Sequence, residues 1–221
     1  MYYEVQSNCL YCEHSFTTKK VRTSKAKITH RDSDFCIHYE NVNPLFYDIL
    51  VCPSCGFAYY KSYRALNAYS RKKLKEAYIE KINVPNLVGE RTIEDAIYTF
   101  KLAILTATII NERKFITANL FLKLGWLYRM TNDKEQEKRF LQQALDDYVD
   151  MLANENIKQE DVDEDRLMYL MADLYLRLDH FIMARKLFSQ LMTDKKVSPR
   201  YKNLAIERWH DYKDQLEAGT E

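Results

Sequence analysis

Cys52-Pro53-Ser54-Cys55-Gly56, read together with Cys9-Leu10-Tyr11-Cys12, decides how the first part of this chain folds. Two residues between thiolates let one tight turn present both sulfurs to a tetrahedral ion at about 2.3 Å, and a second such turn closes the site. Gly56 suits a turn that needs positive φ, so that backbone N–H groups can face the sulfurs. The first pair is followed by Glu13 and His14 instead of glycine. The spacing therefore predicts one structural zinc ion held by Cys9, Cys12, Cys52 and Cys55. A four-sulfur site is coordinatively closed, so it stabilises a small fold and does not activate water. Two competing readings are buried free thiols and a redox CxxC motif. His14, Cys36 or His38 could also replace one ligand, although Cys36 by itself reads as a small buried hydrophobe.

Between the pairs the pattern is one of short strands and turns. Ile37 and Tyr39 alternate with polar neighbours, Asn43-Pro44 marks a turn, and Tyr47-Asp48-Ile49-Leu50-Val51 predicts a strand running into the second pair. Residues 1–62 are thus expected to form a zinc-ribbon-like domain. Lys19, Lys20, Arg22, Lys25 and Lys27 lie between the pairs, and Arg71, Lys72, Lys73 and Lys75 follow later. On a ribbon such a run can bind phosphates, and it can equally be a solvated face.

From Lys61 the periodicity becomes helical. Tyr63, Leu66, Tyr69, Leu74 and Tyr78 predict a first helix, ended by Val84-Pro85-Asn86 and Gly89, so that residues 63–91 form a connecting helix and loop. Thr92 with Asp95 predicts a capped helix over about 93–110. Apolar stripes then continue through Ile116, Leu120, Leu124 and Leu127, through Phe140 to Leu152, through Leu167 to Leu178 and through Ala184 to Leu191. Ser198-Pro199 predicts the start of a last helix through Trp209 and Leu216. The pairing of these helices resembles tetratricopeptide repeats, with Ala172, Tyr175, Ala184 and Phe188 at the repeat's offsets and Gly125, Tyr128, Leu141 and Ala144 in the preceding unit. Glu137 stands where a small residue belongs, and Tyr128 and Tyr175 are further apart than the usual 34-residue repeat. An ordinary helical bundle is the competing reading. The expected fold is mainly α, with a tetratricopeptide-like antiparallel helical domain at 92–221.

Composition agrees. Among 221 residues, four Gly and four Pro leave little material for the tight turns of a sandwich or barrel, and 47% hydrophobic with 29% charged residues is globular. The net charge of +1 requires neither nucleic acid nor membrane. No apolar stretch approaches the roughly 20 residues needed to span a bilayer, and Met1-Tyr2-Tyr3-Glu4 has no basic or apolar signal region, so a reducing cytoplasm is expected. Other motifs fall short. His30-Arg31-Asp32 has Ile37 where a kinase catalytic loop needs Asn. Asp161, Asp163 and Asp165 lack the glycine and closing glutamate of a calcium loop and read instead, with Glu160 and Glu164, as an acidic helix start. No phosphate loop, nucleophile elbow or HExxH pair occurs.

Several stretches are similar to a bacterial family catalogued as domain of unknown function 2225. They are the two CxxC pairs, Arg22-Thr23-Ser24-Lys25, Asp32-Ser33-Asp34-Phe35, Asn43-Pro44 and Val51-Cys52-Pro53-Ser54-Cys55-Gly56-Phe57-Ala58, then Lys101-Leu102-Ala103, Gly125-Trp126-Leu127-Tyr128-Arg129 and Tyr169-Leu170. The resemblance implies a bacterial cytoplasmic protein with a zinc-plus-helix layout and supplies no catalytic residue. The expectation is a non-enzymatic adaptor that binds a protein or peptide through its helical groove, the alternative being a nucleic-acid-binding regulator that uses the basic ribbon.

Overall fold

The computed structural model describes residues 1–83, 87, 89–154 and 162–218, with side chains through residue 214. Three antiparallel hairpins come first: β1 (Tyr2–Asn8) with β2 (Ser15–Val21), β3 (Ile28–Arg31) with β4 (Ile37–Tyr39), and β5 (Ile49–Val51) with β6 (Ala58–Tyr60). Each forms its own two-stranded sheet. The expected strand over 47–51 is shorter than its apolar pattern suggested. Pro44 opens a 3₁₀ turn over Pro44–Tyr47, capped by the Asn43 side chain accepting from the Leu45 amide at 3.0 Å, so pairing starts only at Ile49.

Helices follow: α1 (Ala68–Leu74), continuing as one wider turn over Lys75–Ile79, α2 (Ile93–Ile110), α3 (Lys114–Met130), α4 (Lys134–Asn154), α5 (Glu164–Arg177), α6 (Phe181–Thr193) and α7 (Pro199–Ala218). The first helix starts later than the periodicity from Lys61 suggested. Asn67 caps it by accepting from the Ser70 amide at 2.8 Å, while Tyr63 leaves the helical stripe and sends its hydroxyl to the Ala103 carbonyl. The loop expected at Val84-Pro85-Asn86 lies outside the described residues, as do Glu160 and Asp161 and the Leu216 side chain. Helix α2 opens on the expected capping box, with Asp95 N donating to Thr92 Oγ1 at 3.2 Å and Thr92 N to Asp95 Oδ2 at 2.9 Å.

The helices pack as antiparallel neighbours, α3 on α4 and α5 on α6, with α7 closing on α5 and α6. Gly125 explains the closeness of the first pair: a Cβ there would lie 2.8 Å from Leu141 Cδ2 and 3.6 Å from the Glu137 carbonyl oxygen. Ala144, Ala172 and Ala184 are fully buried at the other crossings. One apolar core runs from Phe16, Ile49 and Phe57 of the hairpins through Leu74 and Phe100 to Leu124 and Leu127. Two smaller cores lie among α3–α5 and α5–α7. Among the described residues, no helix is long and apolar enough to cross a membrane.

Candidate metal centre and the seam behind it

The two cysteine pairs sit at the tips of β1–β2 and β5–β6, and the same local hydrogen bonds build both turns. Cys9 N donates to His14 O and Glu13 N to Cys9 O, each at 3.0 Å; Cys52 N donates to Phe57 O at 3.0 Å and Gly56 N to Cys52 O at 2.9 Å. Gly56 has φ 72° and Glu13 has φ 63°. The missing glycine of the first pair therefore does not change the turn: Glu13 adopts the left-handed conformation itself, at the steric cost that a Cβ brings there.

The turns bring all four sulfurs within 4.8 Å of one another. Cys9 Sγ lies 3.7 Å from Cys55 Sγ, and Cys12 Sγ lies 3.6 Å from Cys52 Sγ. A tetrahedron with bonds of about 2.3 Å has edges of about 3.8 Å, so the cluster already has the size of a four-thiolate metal site. Tyr11 N points at Cys9 Sγ from 3.4 Å. The hydrogen bond with Cys55 holds the Cys9 thiol down, to about 5, whereas burial pushes Cys52 up to about 11. Burial and the neighbouring thiols thus oppose ionisation of Cys52 and Cys55, a cost that a bound cation would offset. Cys9 and Cys52 are buried, Cys55 is half-buried and Cys12 is exposed. His14, Cys36 and His38 are not members of this cluster.

Neighbours lock the turns to the helices. Arg71 of α1 donates to the Tyr11 carbonyl, Tyr78 Oη donates to the Gly56 carbonyl at 2.8 Å, and Thr106 Oγ1 of α2 donates to Ala58 O at 2.6 Å.

The middle hairpin reaches further. Its tip, Asp32-Ser33-Asp34-Phe35, inserts between α3 and α5. Asp34 is fully buried and takes Arg129 in a two-pronged ion pair, NH1 to Oδ1 at 3.0 Å and NH2 to Oδ2 at 2.6 Å, with Trp126 Nε1 donating at 3.0 Å. Arg129 also reaches Asp32 and Glu137, both at 2.6 Å. Ser33 Oγ donates to Asp173, which pairs with Arg177 at 2.7 Å and with Arg208 of α7. Burial pushes the Asp34 carboxyl up, but the Arg129 hydrogen bonds and the charges of Arg177 and Arg129 outweigh it and hold it below the usual carboxylate range. Glu137, out of place for a tetratricopeptide repeat, is therefore a ligand of Arg129. Phe35, at φ 69°, packs on Tyr169 and lies beneath Arg166. Cys36 is fully buried beside this network, and burial pushes its thiol up to about 12. Sequence reasoning missed this seam: Asp32-Ser33-Asp34-Phe35 and Gly125-Trp126-Leu127-Tyr128-Arg129 each stood out, but nothing in their spacing brought them together.

The basic run does not make a uniform face. Lys20 Nζ turns inward to the Tyr47 carbonyl, Lys27 pairs with Glu40 at 3.0 Å, and Lys19 and Arg22 lie over the rings of Tyr2 and Tyr3. Asp163 caps α5, accepting from Arg166 N at 3.1 Å, with Glu164 and Asp165 in its first turn as the acidic pattern suggested, while Asp165 also accepts from Ser198 N, beside the start of α7, at 2.8 Å.

Residues 2–213 match the family model described as an uncharacterized protein conserved in bacteria, domain of unknown function 2225. No curated protein and no solved structure matches the chain.

Proposed function

The chain belongs to this bacterial family, and from that premise we propose that it is a non-enzymatic, zinc-stapled adaptor of the reducing cytoplasm that holds a protein or peptide partner against its helices. The observation that carries the reading is the four-thiol cluster whose two hairpins share one apolar core with the helices. Four thiolates in tetrahedral array suit zinc, which has no redox chemistry, and leave no position for a reacting water. Zinc held by Cys9, Cys12, Cys52 and Cys55 would fix hairpins too small to be stable alone.

The partner is assigned to the cleft that the middle hairpin leaves open beside α3 and α5. This recess of about 390 Å³ has Phe35, Trp126, Tyr148 and Leu170 as apolar walls and Asn119 and Arg166 as polar ones. A second recess of about 290 Å³ continues it past Tyr39 and Pro44, sharing Phe35, Trp126 and Arg166. An apolar trough with a few converging polar groups is what a short peptide segment needs for grip and orientation.

The test combines elemental analysis with site-directed photo-crosslinking in the native cell. About one zinc per chain is expected, together with a discrete crosslinked protein from a probe at Asn119 that a probe at exposed Arg139 does not give and that Arg166→Glu abolishes. Equal crosslinking at both positions, or turnover of a substrate by the metal-replete protein, would overturn the reading. A gel shift of nucleic acid at 50 mM salt that disappears when Lys19, Arg22 and Lys25 are neutralised would replace it with the nucleic-acid alternative.

A further inference from the structure

A second constellation lies on the β3–β4 hairpin, away from the cysteines. The register sets His30 directly opposite His38, and Asp32 directly follows Arg31, the last residue of β3, with its amide donating to the Cys36 carbonyl at 2.9 Å. The two imidazoles stack with centroids 3.9 Å apart and planes 10° from parallel. His38 Nε2 lies 2.9 Å from Asp32 Oδ2, and His30 Nε2 lies 3.6 Å from Asp32 Oδ1. One ligand atom from each of the three residues falls within 4.8 Å of the others.

We propose that His30, Asp32 and His38 form an exchangeable binding site for a divalent first-row transition metal, separate from the four-cysteine centre. Distances support this first. The carboxylate lies against both imidazoles, Oδ2 at 2.9 Å from His38 Nε2 and Oδ1 at 3.6 Å from His30 Nε2; a metal lies in the plane of each imidazole it binds, so the two rings turn out of their parallel stack to meet one ion at about 2.0–2.1 Å. The surroundings support it independently. A metal-binding imidazole needs its other nitrogen engaged, and Thr29 Oγ1 lies 3.2 Å from His30 Nδ1, where it can accept an Nδ1 proton in the tautomer whose Nε2 lone pair is free for a metal. A metal-binding carboxylate needs an anchor, and Arg129 NH1 holds Asp32 Oδ2 at 2.6 Å while Oδ1 faces His30.

Two imidazoles and one carboxylate select zinc, nickel, cobalt or copper over calcium and magnesium, which prefer all-oxygen shells. In the metal-free state the ionised Asp32 only accepts, so His38 carries its proton on Nε2; on binding, that proton passes to Nδ1 through solvent and the Nε2 lone pair goes to the metal. Three protein ligands leave at least one position to water, and the His30 side chain is 59% exposed, so the ion enters and leaves freely. Through Asp32 and Arg129 the same ion would tie the hairpin tip more firmly to α3.

The test is calorimetric titration of tag-free, zinc-replete protein with nickel(II). One equivalent beyond the cysteine-bound zinc is expected, bound at least tenfold more weakly by the His30→Ala/His38→Ala double variant, with both imidazole spectra shifted by nickel in NMR of the wild type. A wild type that takes up no second equivalent overturns the proposal, and so does a double variant, shown folded by an unchanged helical circular dichroism signal, that binds as tightly. The protein is first passed over a chelating resin that strips the exchangeable ion, so the zinc that stays reports on the cysteine centre and the two sites fail separately.

Discussion

Asp34→Ala probes the joint between ribbon and helices most directly. The carboxylate is fully buried and meets both terminal nitrogens of Arg129, Trp126 Nε1 at 3.0 Å, the Cys36 amide at 3.3 Å and Arg177 Nε at 3.6 Å. Removing one member of a buried ion pair costs about 3–5 kcal/mol, chiefly because the other charge loses its partner. Here Arg129 keeps Asp32 and Glu137, and Arg177 keeps Asp173, so neither guanidinium is orphaned; the indole N–H and the Cys36 N–H are. That places the loss at the lower end, about 3 kcal/mol, a large share of the 5–15 kcal/mol that holds an ordinary domain. The assay is denaturant unfolding of metal-replete protein followed by helical circular dichroism and, in parallel, by metal release to a chromophoric chelator. Wild type should give coincident transitions, and the variant should release metal before the helices melt. A loss below about 1 kcal/mol with the two probes still coincident would refute the idea that this ion pair fastens the hairpin to the helices.

Chelation of the bound metal, or Cys52→Ser, should unfold the hairpins while most helical ellipticity persists; loss of metal with unchanged hydrogen exchange in β5 and β6 would contradict the stapling role. Glu13→Gly should stabilise the metal-bound form by roughly 0.5–1 kcal/mol and slow metal release, because glycine adopts φ 63° without the steric cost of a Cβ; faster release would show that turn conformation is not limiting. Acid titration follows from Asp34 and Asp32: burial raises both carboxyls, but Arg129 and Arg177 at Asp34, and the His38 hydrogen bond followed by Arg129 at Asp32, hold them net below their usual range. Their folded values lie below the unfolded value of about 3.9, so the unfolded chain takes up protons first. Their contribution is present above about pH 4 and is lost as pH falls through the lower folded values, so the midpoint denaturant concentration should drop there in wild type and much less in Asp34→Ala.

The chain announced what depends on local rules. Two CxxC pairs, the Thr92 and Asp95 box, Ser198-Pro199 and the helical stripes each settle backbone geometry within a few residues, and the structure places them accordingly. What depends on long-range pairing was invisible. Tyr63 lies on a helical stripe, yet its hydroxyl is claimed by a carbonyl forty residues onward, and the helix waits for Asn67. Glu137 looked like a flaw in a repeat until Arg129, eight residues earlier, turned out to need it. Asp32, Asp34, Trp126 and Arg129 stand in stretches similar to the family, but no spacing rule says that they meet. His30 and His38 become partners only once the hairpin register is known, because two histidines with seven residues between them carry no local signature.

The seam also explains why an ion-pair network stands where apolar packing would serve stability as well or better. Buried ion pairs are expensive to desolvate, and well-shaped hydrophobic replacements often match them. A two-pronged arginine–carboxylate pair has one productive geometry, whereas leucine against leucine tolerates several. A three-residue strand such as β4 has little register information of its own, so the fit of Asp34 on Arg129 and Trp126 fixes where the hairpin tip enters between α3 and α5. The cleft assigned to a partner has Phe35 of that tip as one wall, so its shape depends on the same fit. The cysteine hairpins pack into the core that also contains Leu124 and Leu127 of α3. On the proposed reading, metal binding, hairpin docking and cleft shape would be linked through one helix, and such linkage would be reciprocal: a partner that favours the docked tip would tighten the hold on the metal as metal tightens the hold on the partner.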